Sequence, residues 1–306
     1  MKKLMISLCA ALFMFVVFQS CSEDDLNPNS VIVDSVNESN EFDEWLEENY
    51  RIPYNIQFKY KYEDIESDLT YDLVPAEMSQ SVILAKMVKY LWLEPYAEVG
   101  GEDFMRTYAP RMFLVIGTVG WNNNNTYTLG TAEGGLKITL YAGNWLSNWF
   151  QLEEDPSSPT GYAVEIDRDA INYYYLHTIH HEFGHILHQT IDYPTDFNLV
   201  TAGSYTATWE DLTDAEAWRM GFISPYASNN TDDDFVETLS YYLTYSDDDW
   251  QYILNAAGTD GADKITRKLE YVREYMLDSW NIDIDELKNV LARRYDEIEY
   301  FDWVNL

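Results

Sequence analysis

Residues 176–189 read LHTIHHEFGHILHQ and contain all five histidines of the chain. Apolar residues recur at helical spacing through this stretch and just before it, which predicts a long helix over residues 166–190. His181 and His185 stand four positions apart and therefore lie on one face of that helix. Because two imidazoles one turn apart can hold a single Zn²⁺ ion, this helix is the candidate metal site.

Glu182 completes an H-E-x-x-H pattern with the two histidines. It lies about 100° around the helix axis from His181, so its carboxylate is beside the predicted ion rather than on it. A carboxylate there can take a proton from water that a metal activates and then pass it to a leaving amine. The pattern therefore predicts a zinc-dependent hydrolase with His181 and His185 as ligands and Glu182 as general base and acid.

The third metal ligand has several candidates. His188 lies near the same side of the helix as His181 but about 10.5 Å further along the axis, so it would join only if the helix bent there. The other candidates are the carboxylates that follow this helix, namely Glu210, Asp211, Asp214, Glu216, Asp232, Asp233, Asp234 and Glu237. His177 is interpreted as a core residue or one that orients a ligand, and His180 as structural.

Composition and charge narrow the class of protein. The chain has 306 residues, of which 46% are hydrophobic, and this is typical of a globular protein. Its formal net charge of -34 excludes sequence-independent binding of nucleic acid through a basic face. Its two cysteines cannot form a disulfide framework.

The first residues of the chain indicate a targeting signal. Residues 1–20 combine Lys2 and Lys3 with an apolar run too short for a comfortable membrane span, which indicates a signal peptide. Cys21 follows directly and is predicted to carry lipid, as in bacterial lipoproteins, so that the protein is anchored to a membrane. Residues 21–38 are predicted to form an acidic flexible tether, and residues 39–306 one catalytic domain without an internal linker.

The rest of the chain divides into a strand-rich half and a helical half. Alternating or continuous apolar runs predict strands at residues 56–62, 112–116 and 136–141. Helical spacing predicts helices at residues 75–93, 213–221, 233–244, 248–257, 261–279 and 284–298. Asp233 or Asp234 is expected to cap the helix that carries Glu237. Strands followed by helices indicate an α+β fold rather than an alternating α/β fold.

The helix with Glu237 also carries a resemblance. A Glu on a second helix about fifty residues after the histidine pair resembles the gluzincin arrangement, and residues 222–237 look like the F-x-S-x-Y-A…D-F-x-E stretch of bacterial H-E-F-G-H metallopeptidases. This implies Glu237 as the third Zn²⁺ ligand and Tyr226 as the donor to the oxyanion, with Tyr205 and Tyr241 as alternatives. Tyr241 stands where the thermolysin-type pattern has Asp, so the groups around Glu237 are expected to differ.

The same resemblance implies a zincin-like fold. In that fold a small mixed sheet packs on the H-E-x-x-H helix, and a helical lobe follows at the C-terminal end. The strand before the active helix binds substrate by edge pairing in zincins, and residues 136–141 are the candidate for it.

Taken together, these motifs resemble the zinc metallopeptidase lipoproteins associated with substrate import in Bacteroidetes. Residues 22–25, SEDD, look like the acidic tag of lipoproteins on the outer face of the outer membrane. The resemblance implies a protein anchored through Cys21 that hydrolyses peptide bonds of proteins or glycopeptides for nutrient import. It also implies a TonB-dependent importer and its glycan-binding lipoprotein as neighbours.

Two other functions stay open at this point. One is a catalytically inactive lipoprotein of zincin fold that helps to capture substrate. The other is a zinc hydrolase that acts on a non-peptide amide.

Overall fold

A computed structural model of the chain describes residues 39–122, 126–133 and 135–306. The predicted signal peptide (1–20), Cys21 and the tether (21–38) lie outside the described residues. Residues from Asn40 to Leu306 group into one compact unit. No helix in the described part of the chain is long and apolar enough to cross a membrane.

Eight strands are described, and four of them form the main sheet. The strands are β1 (Gln57–Lys59), β2 (Met112–Val115), β3 (Gly120–Trp121), β4 (Tyr127–Thr128), β5 (Gly130–Glu133), β6 (Lys137–Leu140), β7 (Phe150–Glu154) and β8 (Tyr162–Ile166). The main sheet has the order β1-β2-β6-β5, with parallel pairing of β1 with β2 and β2 with β6 and antiparallel pairing of β6 with β5. Strands β3 and β4, and likewise β7 and β8, form separate two-stranded ribbons. The sheet is therefore small and mixed, as predicted.

One strand prediction about substrate binding was wrong. Residues 136–141 contain β6, which is hydrogen-bonded to β2 on one side and to β5 on the other. A strand with both edges paired has no backbone groups left for an incoming chain. The edge strand of the main sheet on this side is β5, which pairs with β6. Apolar spacing did not predict β5.

Helices make up most of the remainder. Before the histidines they are α1 (Glu41–Leu46), α2 (Met78–Val88), α3 (Glu94–Gly100), α4 (Glu102–Tyr108) and α5 (Arg168–Ile171). From the histidines onward they are α6 (His177–Thr190), α7 (Phe197–Val200), α8 (Asp214–Met220), α9 (Thr231–Thr244), α10 (Asp247–Trp280) and α11 (Ile284–Asp296). Gly258, with a φ of 70°, breaks α10 into two helices, close to the predicted boundary between residues 257 and 261. The described strands all precede the histidine helix and the described chain after it is helical, so helices and a small mixed sheet make up the fold, which confirms the α+β class.

The helix around the histidines is not uniform. Residues Asn172–Leu176 form a π-helical turn between α5 and α6. Phe183 anchors α6 in the core, with its ring edge-on to the rings of Trp92 and Tyr96 at centroid distances of 5.2 and 5.1 Å. Packing of this apolar side leaves His177, His181 and His185 facing α9.

Close contact between α6 and α9 depends on Gly184. A Cβ atom at this position would lie 2.7 Å from Cγ1 of Val236 on α9. The missing side chain therefore lets the two helices approach closely enough for carboxylates on α9 to reach the imidazoles on α6. This explains the Gly within the HEFGH sequence.

The start of α9 differs from the prediction. The helix begins at Thr231, and Asn230 caps it by accepting hydrogen bonds from the backbone N–H groups of Asp232 and Asp233. The expectation that Asp233 or Asp234 is the cap was therefore wrong. Asn caps a helix as well as Asp does, and its use here leaves both carboxylates available for other contacts.

Candidate metal centre

Three side-chain atoms converge at the face of α6 that meets α9. The Nε2 atoms of His181 and His185 lie 3.2 Å apart. Oδ1 of Asp233 lies 3.4 Å from Nε2 of His185 and 3.9 Å from Nε2 of His181. Two nitrogen atoms and one carboxylate oxygen are a typical ligand set for Zn²⁺.

Asp233 is held for this contact by two amides. Its Oδ2 accepts hydrogen bonds from Nδ2 of Asn229 at 2.7 Å and Nδ2 of Asn230 at 2.6 Å. Oδ1 therefore faces the histidines. Burial alone would raise the pKa of Asp233, but hydrogen bonds from His185 and Asn229 outweigh it and hold the pKa below its ordinary value. The carboxyl group is thus kept in the anionic form that a metal requires.

Glu237 lies one turn further along α9, on the other side of the His181 ring. Its Oε1 accepts a hydrogen bond from Nδ1 of His181 at 2.8 Å and another from Nε2 of His177 at 2.8 Å. Its Oε2 accepts a hydrogen bond from the hydroxyl of Ser224 at 2.6 Å. Burial opposes ionisation of Glu237, but His177 and His181 outweigh it and hold the pKa well below its ordinary value.

The contact with Glu237 fixes the tautomer of His181. An ionised carboxylate only accepts hydrogen bonds, so Nδ1 of His181 carries the proton. In the neutral imidazole, the lone pair on Nε2 then points towards His185 and Asp233. Such a hydrogen bond from the far ring nitrogen to a carboxylate is the usual support of a metal-binding histidine.

Two more histidines have supporting positions. His188 lies behind His185, with its Nε2 2.8 Å from Nδ1 of His185. His180 is fully buried, and its Nδ1 lies 3.1 Å from the hydroxyl of Tyr96. Burial lowers the pKa of His180 to about 3. His180 is therefore structural, as predicted. Neither residue belongs to a group of potential ligands among the described residues.

The described residues contain two groups that could hold a metal ion, and His181 belongs to both. One group is His181, His185 and Asp233; the other is His177, His181 and Glu237. The predicted combination of His181, His185 and Glu237 is not one of them, because Glu237 faces the opposite nitrogen of the His181 ring.

The distances distinguish the two groups. Ligand atoms at 2.0–2.1 Å from a tetrahedral Zn²⁺ lie about 3.3 Å from one another. The separations around His185 are close to this value, at 3.2 and 3.4 Å, and Oδ1 of Asp233 lies 3.9 Å from Nε2 of His181. Both separations around Glu237 are 2.8 Å, which is a hydrogen-bond length. The residues of the first group therefore fit the ion, and those of the second form a hydrogen-bonded support.

The metal-binding atoms open into a cleft. Glu182 and Tyr226 line a cavity of about 660 Å³ together with His181 and Glu237. They also line a second cavity of about 520 Å³, which includes His185 and Asp233. The two cavities share five lining residues, among them His181, Glu182 and Tyr226, so they lie side by side over the histidine face of α6 and are together called the cleft.

The three candidate tyrosines have different surroundings. The ring of Tyr226 lies 5.8 Å from that of His181, within the cleft. The hydroxyl of Tyr205 instead donates to Oδ2 of the buried Asp234 at 2.9 Å. Tyr241 packs edge-on against His177, with ring centroids 4.8 Å apart. Of the three, Tyr226 is the one that lines the cleft with Glu182.

Sequence reasoning missed several residues of this site. Asp233 was one of eight candidate carboxylates, and its preference over Glu237 depends on the packing of α9. Ser224 is the Ser of the F-x-S-x-Y-A stretch. The motif therefore contained it, but the sequence did not predict its hydrogen bond to Glu237. Asn229 and Asn230 have no motif of their own, and only the chain path before α9 brings them to Asp233.

Comparison with known proteins shows the family of the chain. Residues 35–285 match the family described as "Putative zinc-binding metallo-peptidase". The fold is similar to the crystal structure of a putative zinc-binding metallo-peptidase from Bacteroides caccae, with 46% identity and a TM-score of 0.72, over 90% of this chain and 98% of that chain. No curated protein matches the chain. Because the family model matches most of the chain, the chain belongs to this zinc-binding metallo-peptidase family.

Proposed function

We propose that the protein is a zinc-dependent peptidase of zincin-like fold that hydrolyses peptide bonds in proteins or glycopeptides. The observation that carries the proposal is the convergence of Nε2 of His181, Nε2 of His185 and Oδ1 of Asp233 in a cleft that also contains Glu182. A cleft is needed because the substrate must reach both the metal and the base.

Asp233 replaces Glu237 as the third Zn²⁺ ligand in this proposal. The support comes from the distances: Oδ1 of Asp233 lies 3.4 and 3.9 Å from the two histidine Nε2 atoms, which leaves room for an ion between them, whereas Oε1 of Glu237 is at hydrogen-bond distance from its two histidines. Glu237 then orients His181 through Nδ1, and His177 and Ser224 hold Glu237 in place. His188 has the corresponding role behind His185.

The chemistry divides between the ion and the side chains. A Zn²⁺ ion in this site supplies Lewis acidity, which makes water a nucleophile near neutral pH. Glu182 accepts the proton of the attacking water and passes it to the nitrogen of the leaving amine. Tyr226 donates a hydrogen bond to the oxygen that gains negative charge at the scissile carbonyl. Burial and the nearby Asp233 raise the pKa of Tyr226. Its hydroxyl therefore stays protonated and can donate a hydrogen bond.

Strand β5 is the proposed docking edge for the substrate backbone. It pairs only with β6 in the described sheet, and Gly130, Thr131 and Ala132 line the cleft beside Glu182. A Cβ atom on Gly130 would lie 2.1 Å from Cγ2 of Thr178, so this position needs Gly for the strand to lie against α6. An extended peptide can therefore add to the edge with its scissile bond over the histidines.

Anchoring and nutrient import are the broader part of the proposal. Their support comes from the sequence of residues 1–38, where a signal-like apolar run precedes Cys21 and an acidic segment. In this proposal the lipid on Cys21 holds the domain on the outer face of the outer membrane, near a TonB-dependent importer and its binding lipoprotein. We expect cells grown with labelled palmitate to incorporate the label at Cys21. A labelled protein that faces the periplasm would contradict the proposed orientation.

Removal of the metal tests the function directly. We expect a chelator to abolish hydrolysis of casein or a mucin glycopeptide and one equivalent of Zn²⁺ per chain to restore it, because the side chains alone supply no Lewis acid. Hydrolysis is measured by release of new amino termini, and metal content by elemental analysis. Zinc-loaded protein that binds these substrates without cleaving them would instead support a non-catalytic binding function.

Matched variants on α9 test the ligand assignment. Asp233→Asn should lower the affinity for Zn²⁺ by more than about a hundredfold, because it removes an anionic ligand. Glu237→Gln should lower it by roughly tenfold to a hundredfold, as loss of a group behind a ligand does. Affinity is measured by competition with a chromophoric chelator, and Asp248→Asn, which removes an exposed carboxylate outside the cleft, is the control. The reverse order of the two losses would identify Glu237 as the ligand.

A further inference from the structure

A separate pocket of about 330 Å³ adjoins the metal-binding cleft. It lies between the π-helical turn Asn172–Leu176, the second half of α9 and the start of α10. His177 lines both this pocket and the cleft, and thus forms the wall between them. The pocket and the cleft are therefore neighbours on the two sides of one side chain, and the pocket volume is at the small end of ligand sites.

Tyrosine rings form much of the wall. The rings of Tyr241 and Tyr245 lie 4.6 Å apart, and Tyr241 is also edge-on to His177. Tyr173 lies at the exposed rim. Aromatic faces bind cations as well as apolar groups, because the ring quadrupole presents negative charge at the face.

Carboxylates give the pocket a negative potential. Asp169 and Asp249 line it at the exposed side, and neither forms an ion pair within the described residues. No Lys or Arg is among the described residues that line the pocket. Burial, together with the nearby Asp214, Glu237 and Asp249, raises the pKa of Tyr245. A concave site of this kind concentrates cations.

We propose that this pocket binds the cationic side chain of a Lys or Arg residue of the substrate and thereby selects the bond that is cleaved. The inference rests on the proposed peptidase function. The tyrosine rings contact the aliphatic stem and the face of the charged group, and Asp169 and Asp249 pair with the charge at the rim. An acidic side chain is repelled by the same two carboxylates, and a neutral one gains no ion pair.

The first arm of the test measures cleavage. Denatured casein is digested with the zinc-loaded protein, and the cleaved bonds are mapped by mass spectrometry. We expect bonds next to Lys or Arg to be enriched at least about tenfold over bonds next to Leu, which corresponds to about 1.4 kcal/mol. The Asp169→Asn/Asp249→Asn double variant should lose this enrichment. Asp248→Asn is the control, since Asp248 is exposed beside Asp249 but does not line the pocket.

The second arm measures binding without turnover. Arginine amide and citrulline amide, which differ in charge but hardly in size, are titrated into the Glu182→Gln protein and followed by calorimetry. Arginine amide should bind roughly tenfold more tightly, and the additional Asp169→Asn/Asp249→Asn changes should remove the difference. Thermal unfolding of every variant verifies that the fold is retained, and each single Asp→Asn variant gives an independent measurement.

The two arms separate the two proposals. Charge-selective binding without any cleavage of casein would support the pocket and overturn the peptidase function. Cleavage of casein without enrichment at Lys or Arg, together with equal binding of the two amides, would overturn the pocket and leave the peptidase function standing.

Discussion

Glu182→Gln should lower peptide hydrolysis by roughly a hundredfold to ten-thousandfold, the range over which a positioned general base contributes. The amide of Gln has nearly the size of the carboxylate but cannot accept the proton of the attacking water. Zn²⁺ content should stay close to one per chain, because Glu182 belongs to neither group of potential ligands. Hydrolysis of a quenched fluorescent peptide and elemental analysis of the same sample give the two readouts.

A matched change elsewhere controls for the loss of one charge. Glu165→Gln removes an exposed carboxylate on β8, outside the cleft, and should leave both readouts unchanged. Substantial hydrolysis by zinc-loaded Glu182→Gln would show that another group accepts the proton, and the proposed mechanism would fail.

The second large effect is expected in stability, at a buried ion pair next to the metal centre. Nζ of Lys268 on α10 lies 2.5 Å from Oδ2 of Asp234 on α9, and both side chains are almost completely buried. Lys268 also donates to the carbonyl of Gly221 at 2.8 Å and lies 4.1 Å from the ring centroid of Phe222. The pair thus links α9, α10 and the segment after α8.

Lys268→Met should lower the free energy of unfolding by about 3–5 kcal/mol near neutral pH, because Asp234 loses its partner and must either remain a buried charge or take up a proton to stay buried. Urea unfolding followed by tryptophan fluorescence measures the change. Lys264→Met is the control on the same helix. Lys264 pairs with the exposed Asp260, and such surface pairs contribute at most about 1 kcal/mol. Equal losses in the two variants would contradict a special role of the buried pair.

The loss in Lys268→Met should become smaller as the pH falls. Burial raises the pKa of Asp234 to about 6 even with Lys268 opposing it, and removal of Lys268 can only raise it further. A carboxyl group whose pKa is higher in the folded state than in the unfolded state favours folding at low pH. This contribution is lost as the pH rises through the folded pKa, so the variant is least stable above it.

Local sequence predicted the elements well where they depend on their own residues. The helix over residues 166–190, the two parts of α10 and the strands β2 and β6 follow from apolar spacing within each segment. Apolar spacing did not predict the π-helical turn Asn172–Leu176, because a π-helical turn keeps the same residues in a helix and changes only their hydrogen-bond partners. Strand β5 was missed since Gly130–Glu133 has neither an apolar run nor clear alternation.

The metal site shows the same division. The pairing of His181 with His185, and the place of Glu182 beside them, come from the 3.6-residue repeat of one helix, so the sequence alone determined them. Asp233 and Glu237 stand four positions apart on α9, and both are carboxylates that could be the third ligand, of which the resemblance favoured Glu237. Which of them faces Nε2 of the histidines depends on how α9 rotates and slides against α6. That orientation is decided by the contact of Gly184 with Val236 and by the partners of Asp233, which come from distant parts of the chain and meet only in the folded structure.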